Sequence, residues 1–467
     1  MSKEQLTVQL LAKLIRGTKY EGKVFIAGGA VRDEILGIQS KDIDLLVELP
    51  DGGVEFANFV TKKLNIFKQD SNPVIFERFG TAKFTLDGVE FLGADLSGVD
   101  IEVVMTRTET YDDGSRKPEV NYGTLKQDVE RRDFTVNSLL KDLSTGEILD
   151  LTGHGKKDIA QGVVKTVLEP EYIFSEDPLR MLRAVRFAVK YDWDLPMFML
   201  RAIKDSAHKI KFISMERVQD ELNKMILLKK PDKAIRLLQI TNLASFTIPE
   251  LQKIVRLKQN KYHKWDVNIH TLEVLKRVEP TIVQRLGALL HDIGKYSTKE
   301  VIDGEVHFYK HEDVGADIAR DIMKRLKYPN HIIDAVTTTI ENHMRLKSSG
   351  KQGEVISDKA LRKLQNELGE HLEDTLSIIH ADNLCHGDDY CLPEQIPAIR
   401  QRLKDLKLPT EKIKLPVDGN EIMERFDLKP SKRVGQMLDV VRDMYFEDPT
   451  VAKEEIFKQL NLMEFED

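Results

Sequence analysis

The sequence predicts an α+β fold, with an N-terminal head of mixed sheet and helices followed by helical modules to the end of the chain. Two changes of pattern carry this reading. Up to about residue 160, strand-like runs alternate with turns (VFIAGG, DIDLLVEL, TAKFTLDGVEF, GVDIEVVMTR), and several show the period-two pattern of half-buried strands. From about 172 onward the apolar period becomes helical. In SEDPLRMLRAVRFAVKY, Leu179, Leu182, Val185 and Ala188 form one stripe, and Pro178 suits a first helical turn. In ERVQDELNKMILL the stripe is Val218, Leu222, Met225 and Leu228. Breaks near 258–266 (KQNKYHKWD) and 391–396 (CLPEQI) divide the helical part. The expected modules are 1–160, 161–260, 261–390 and 391–467, which suits a 467-residue chain at roughly 150 residues per domain.

The first two strands frame the first chemical question. Residues 24–49 read VFIAGGAVRDEILGIQSKDIDLLVEL: an apolar strand, two glycines, a short helix, then a strand containing Asp42 and Asp44. Side chains alternate along a strand, so Ile43 and Leu45 point to the core and the two carboxylates point together the other way. The strand GVDIEVVMTRTETY carries Asp100 and Glu102 with the same spacing. Carboxylates gathered on neighbouring strands suit two magnesium ions, which prefer oxygen ligands and promote in-line displacement at phosphorus. The same pattern also describes an edge strand with its polar face in water. Gly28 and Gly29, between strand and helix, offer bare amides to a triphosphate, and Arg32 offers a fork to a phosphate. Further on, LKQDVERRDFTVNSLL sets Arg131, Arg132, Asp133 and Asn137 before an apolar run. That segment suits phosphate and ribose binding, or equally a helix start with surface charge.

Composition sets outer bounds. Two cysteines, Cys385 and Cys391, exclude a disulfide framework and fit a reducing compartment. The N-terminal MSKEQLTVQLLAKLI is charged and helix-periodic, and no apolar run approaches membrane-spanning length, so the protein is read as cytoplasmic with no membrane partner. Net charge is −7, which is unlike a general nucleic-acid binder, yet residues 180–236 hold 14 Lys/Arg against 7 Asp/Glu. No obligate protein partner is evident.

Ten of the twelve histidines lie between 263 and 386. His270 shares a helical face with Val274 and Val278. His291 and Asp292 close the apolar run QRLGALLHDIGK, His311 precedes an amphipathic helix, His343 follows the face of Ile333, Val336 and Ile340, and Asp382 follows Ile379. Buried imidazole and carboxylate are costly unless paired or ligated, so several helices turning such groups inward form a metal-site pattern.

The segments GGAVRDEILGIQSKDIDLLVE, FERFGTAKF, VDIEVVMTRTETY, VERRDFTVNSLL, ILDLTGHGKKDI, SEDPLRMLRAVRFA and ERVQDELNKM occur in the order seen in class II tRNA nucleotidyltransferases, the CCA-adding enzymes, and in their bacterial poly(A) polymerase relatives. The resemblance spans about 24–230, and DGNEIMERFDLKPSKRVGQMLDVV resembles the family's helical tail more loosely. It implies a polymerase-beta-like nucleotidyltransferase head, a helical neck that reads the base and binds RNA, and a tail. Asp42 and Asp44 would hold Mg2+ with Glu102 as third carboxylate. Gly28, Gly29 and Arg32 would meet the triphosphate, Arg132 and Asp133 would bind phosphate and ribose, and Asp150 would mark a hinge. Asp177 and Arg180 would read the base, with Arg183 binding nucleotide nearby. Three residues apart, Asp177 and Arg180 fit one helix face and supply acceptors and a donor fork, as a simple intrahelical ion pair also would. Two positions depart from the family pattern: Gly153-His154-Gly155 replaces a double glycine, and Asn137-Ser138 replaces Asn-Ala.

The histidine-rich segment resembles an HD-domain phosphohydrolase. The resemblance makes His270, His291, Asp292 and Asp382 metal ligands, with His311 and His343 as the extra histidines of two-metal members. The ion would be a divalent transition metal or Mg2+. Together these features imply transfer of CMP and AMP from CTP and ATP to the 3′ end of tRNA, with an attached phosphohydrolase. The alternatives are a poly(A) polymerase, an HD phosphohydrolase with a nucleotide-sensing head, and a silent tRNA-binding module. FGTAKF and the HD segment favour CCA addition.

Overall fold

The computed structural model describes residues 1–39, 43–65, 73–76, 80–110, 119–346, 356–406 and 414–465. Asp42 therefore lies outside the described residues. The chain forms two compact units: Met1–Glu221 with Arg236–Thr247, and Leu222–Ile235 with Ile248–Asp467.

The first unit opens with α1 (Lys3–Ile15), started by a capping box in which Ser2 and Gln5 satisfy each other's backbone amides. Its sheet contains β1 (Val24–Ala27), β2 (Ile43–Val47), β3 (Val74–Phe76), β4 (Thr81–Thr85), β5 (Asp100–Met105), β6 (Leu140–Asp142) and β7 (Ile148–Leu149). The spatial order is β7-β6-β1-β2-β5-β4-β3. Only β2 and β5 pair in parallel, and the other neighbours are antiparallel, so the sheet is mixed as expected. Along β2, Ile43 and Leu45 are buried and Asp44 is exposed; beyond Asp44 the strand is buried on both faces. The polar face is thus confined to one end of the strand.

Between β1 and β2 runs α2 (Gly29–Ile35), entered through Gly28 at φ +66° and ψ −124°, a conformation open to glycine and strained for other residues. Thr124 and Gln127 form a second capping box at α3 (Leu125–Glu130). The sheet is followed by α4 (Gly155–Gln161), α5 (Pro170–Glu176) and α6 (Leu179–Lys190). The amphipathic pattern of α6 is realised in full: Leu179, Leu182, Val185 and Ala188 are all buried. Asp150 builds the turn before α4 by accepting from Thr152 Oγ1 (2.7 Å) and Lys156 N (3.0 Å). His154 in that turn sits at φ −122°, which any residue adopts, so the departure from a double glycine creates no strain.

The second unit is mostly helical. Its core site is built from α7 (Val267–Arg277), α8 (Ile282–Leu290), α9 (His311–Arg325), α10 (Asn330–Asn342) and α11 (Leu372–Asn383). Asp266 and Thr281 cap α7 and α8, accepting from Ile269 N and Gln284 N. At and beyond the end of the 391–396 break, Ile396 and Ile399 pack into one core with Leu372, Leu376 and Ile379. The tail has a core of its own around Val417, Ile422, Val434, Met437 and Val441. Among the described residues, no helix is long and apolar enough to cross a membrane.

Candidate active sites

In the head, the parallel register of β2 and β5 sets Asp44 directly beside Glu102. Both are exposed, whereas their neighbours Ile43, Leu45, Ile101 and Val103 are buried. Like charges on adjacent strands destabilise a sheet. A pair of oxygen donors placed this way suits a hard divalent cation. Asp100, on the same face, is engaged elsewhere: it meets Lys83 Nζ at 3.0 Å and accepts from the Thr85 hydroxyl.

The arginine-rich segment is organised by a residue that sequence reasoning passed over. Asp128, fully buried in α3, accepts from Arg131 Nε and Nη2 (3.0 and 2.6 Å) on one oxygen and from Arg132 Nε and Nη2 (3.1 and 2.9 Å) on the other. Burial pushes its carboxyl up, but the Arg132 and Arg131 guanidinium groups outweigh that and hold its pKa below the ordinary value. The signal was present in the sequence, since three and four residues separate Asp128 from the two arginines. Arg132 Nη1 also donates to the Asn137 carbonyl at 3.3 Å, and a side chain at Gly28 would come within 3.4 Å of that same nitrogen.

Asp133 is equally well held. Its Oδ2 accepts from Arg183 Nε (2.8 Å) and Nη2 (2.6 Å), and its Oδ1 accepts from Phe134 N (2.8 Å) and Asn137 Nδ2 (3.1 Å). Burial alone would raise its pKa; Arg183 and these hydrogen bonds lower it overall. Arg32, expected as an open fork, is buried. Its guanidinium donates to Asp33 (2.8 Å) and to the Asn137 amide oxygen, and lies 4.6 Å from the centre of the Tyr191 ring. It braces Asn137, whose carbonyl Arg132 also meets.

Asp177 and Arg180 do not share a helix face. Asp177 is extended (φ −140°, ψ 99°) between α5 and α6, because a residue before proline is steered out of the helical region. Nor do the two form an ion pair with each other. Asp177 Oδ2 accepts from Arg217 Nη2 (2.8 Å), while Arg180 donates to Glu176 (2.9 Å) and to the Arg131 carbonyl (2.6 Å). Arg217 had no local sequence signal, because forty residues separate it from Asp177.

The second unit gathers all six predicted ligands. His270 Nε2 lies 2.9 Å from Asp382 Oδ1, 3.4 Å from His291 Nε2 and 3.5 Å from Asp292 Oδ2. Asp292 Oδ1 lies 3.4 Å from His311 Nε2 and 3.8 Å from His343 Nε2. Two donor groups result, His270–His291–Asp382 and Asp292–His311–His343, all six residues being buried. In His291, His311 and His343 the Nδ1 atom meets the carbonyl three residues back, Ala288 (2.9 Å), Phe308 (2.8 Å) and Ile340 (2.6 Å). That contact places the proton on Nδ1 and turns the Nε2 lone pair toward the shared centre. Gly294 is required here, since a Cβ would fall 2.2 Å from the His311 carbonyl oxygen. Lys295, not singled out in the sequence, bridges Asp292 Oδ2 and Gln259 Oε1 at 2.8 Å each. Buried imidazole nitrogens and carboxylates converging in this way fit divalent cations.

Residues 24–165 match the poly A polymerase head domain, 199–254 the probable RNA and SrmB-binding site of polymerase A, and 267–384 the HD domain. The chain thus carries a poly A polymerase head domain, the RNA-binding region associated with it and an HD domain. It is 37% identical over 237 residues to the tRNA nucleotidyltransferase cca2 of Schizosaccharomyces pombe, covering 49% of this chain and 48% of that protein. The Multifunctional CCA protein of Neisseria meningitidis is 28% identical over 330 residues, covering 69% and 72%. The chain thus spans about half the length of the first of these relatives. The fold is that of the Bacillus stearothermophilus CCA-adding enzyme solved with CTP, at a TM-score of 0.68 and 21% identity over 99% of this chain and 98% of that one. The Thermotoga maritima CCA-adding enzyme solved with tRNA gives a TM-score of 0.61 at 19% identity, covering 99% and 96%.

Proposed function

We propose that the protein is a CCA-adding tRNA nucleotidyltransferase, transferring CMP and AMP from CTP and ATP to the 3′ end of tRNA. The observation that carries this reading is the registered pair Asp44 and Glu102, set one strand from the Gly28 turn. Relatives named for CCA addition support it over poly(A) synthesis. Asp42, Asp44 and Glu102 would hold Mg2+, which when bound lowers the pKa of an attacking hydroxyl and shields phosphate charge. The turn at Gly28 and Gly29 meets the triphosphate, Arg132 is aimed by Asp128 at the same turn, and Asp133, fixed by Arg183, orients the ribose. The tRNA 3′ hydroxyl attacks the α-phosphorus, the bond to the bridging oxygen breaks, and pyrophosphate leaves. Asp177 and Arg180, each braced by a second residue, present acceptors and donors to the base. Residues 1–160 serve as head and 161–260 as a neck that grips the tRNA backbone through its basic helices. Residues 391–467 form the tail, and the protein works in the cytoplasm.

Residues 261–390 add a phosphohydrolase whose substrates are phosphate esters such as 2′,3′-cyclic or 2′ phosphates of RNA ends. The six converging ligands favour it, and a divalent cation there supplies Lewis-acid polarisation of the ester. One experiment tests the main reading: incubate the protein with tRNA ending at the discriminator base plus CTP, ATP or both, and sequence the ends. Ordered addition of C, C and A is expected; a run of adenosines with ATP alone would make it a poly(A) polymerase.

A further inference from the structure

The segment between neck and HD helices, read in the sequence as a break, is a strap laid against the HD ligands. Gln259 accepts from Lys295, whose ammonium also meets Asp292. The ring of His263 packs edge-on against the ligand His270 with centroids 5.2 Å apart, and lies 4.9 Å from the ring of His386, four residues beyond the ligand Asp382. The backbones of His263 and His386 pair as a bridge, and Gly387 N donates to the Tyr262 carbonyl at 3.0 Å. This pairing locks together two rings that the fold leaves in the open: Tyr262, 41% exposed, and Tyr390, 42% exposed, in a T-shaped contact with centroids 4.8 Å apart. The Lys261 ammonium lies 5.8 Å from the Tyr262 ring centre.

Tyr262 is one residue from the histidine that touches a metal ligand and Tyr390 is four residues from its bridge partner His386, and packing alone explains poorly why two exposed rings meet there. Nucleobases stack on such rings regardless of base identity. We infer that Tyr262 and Tyr390 form a nucleobase platform beside the HD site, which sets its preference for base-bearing over base-free phosphates. This inference rests on the phosphohydrolase reading of that site for its chemistry, but the binding it describes stands apart from turnover.

The test titrates the full-length protein with adenosine 2′-monophosphate and separately with ribose 5-phosphate, by calorimetry, and compares the wild type with its tyrosine variants. Hydrolysis of 2′,3′-cyclic AMP is followed in parallel. Tyr262→Ala and Tyr390→Ala should each raise Kd and KM for the adenosine compounds about tenfold or more. Ribose 5-phosphate binding, kcat, CTP incorporation and Tm should stay as in the wild type. Tyr262→Phe, which keeps the ring, should bind as the wild type does. Unchanged nucleotide affinity in both alanine variants, or an equal loss for ribose 5-phosphate, would overturn the platform. If the wild type hydrolyses nothing yet loses nucleotide binding in the alanine variants, the hydrolase reading fails and the platform stands.

Discussion

Arg183 grips Asp133 with two nitrogens on a single carboxylate oxygen, at 2.8 and 2.6 Å, across fifty residues of sequence. The contact ties the loop after α3 to α6, so a group proposed to orient the ribose is positioned by a helix of the neck. Arg183→Lys keeps the charge but loses the fork. Its kcat/KM for CTP should fall at least about tenfold, which corresponds to roughly 1.4 kcal/mol of lost transition-state binding. Steady-state kinetics with both triphosphates check this, and wild-type values would remove Arg183 from the site.

Asp44→Asn should lower nucleotide incorporation by more than about a thousandfold, the loss expected when a ligand of a catalytic ion is neutralised. Asp44 is exposed and followed by a fully buried strand, so the melting temperature should hold or rise slightly. A variant that still extends tRNA at near-normal rates would refute the magnesium assignment.

Selectivity offers a separate handle through Arg217, which touches Asp177 but, among the described residues, none of the proposed ion ligands. Arg217→Ala should release Asp177 and cut the preference for CTP and ATP over UTP and GTP by about tenfold, the scale of one lost polar contact. Relative kcat/KM for all four triphosphates measures it. A lowered Tm with unchanged preference would mean that the contact only fastens the neck.

Asp128 predicts an acid-sensitive head. Its folded pKa is depressed, so the stability it confers is present above the ordinary carboxylate value of about 4 and is lost as pH falls through the lower folded value. Asp128→Asn should cost about 3 kcal/mol near neutrality, the low end for a broken buried pair because both arginines keep some contact with water. It should also flatten the decline in stability below about pH 4. Urea melts of both proteins across pH 3–7 would show the two curves converging at the acid end; parallel curves would contradict the assignment.

Replacing His291 and Asp292 together by alanine should abolish metal uptake in the second unit, read by elemental analysis, and with it any phosphohydrolase activity. CTP incorporation should persist, since the two constellations use different residues in different segments. A folded double variant that cannot incorporate CTP would show that the modules are coupled.

What was legible in the sequence was whatever obeys a local period. The alternation Ile43-Asp44-Leu45 showed which way the carboxylate points, and Asp100 and Glu102 showed the same period on their own strand. The six inward histidines and aspartates could be read because each lies on, or at one end of, an apolar helical stripe. The sequence misled where one residue overrides a period: Pro178 takes Asp177 out of the helix that simple spacing assigns to it. It was silent where contacts span long stretches of chain, as from Arg32 to Asn137 or Arg217 to Asp177, since no periodicity encodes them. Asp128 lies between these cases, because its spacing to Arg131 and Arg132 was visible but its complete burial was not.

The three histidine rings braced by main-chain carbonyls give the second unit a particular resilience to mutational drift. Where a carboxylate side chain aims a ligand, one codon change can undo it. Here the acceptors belong to Ala288, Phe308 and Ile340, and any residue at those positions still brings a carbonyl. Neutral substitution can therefore reshape the packing behind the rings without turning them, and the aim of these three ligands depends on the course of the backbone.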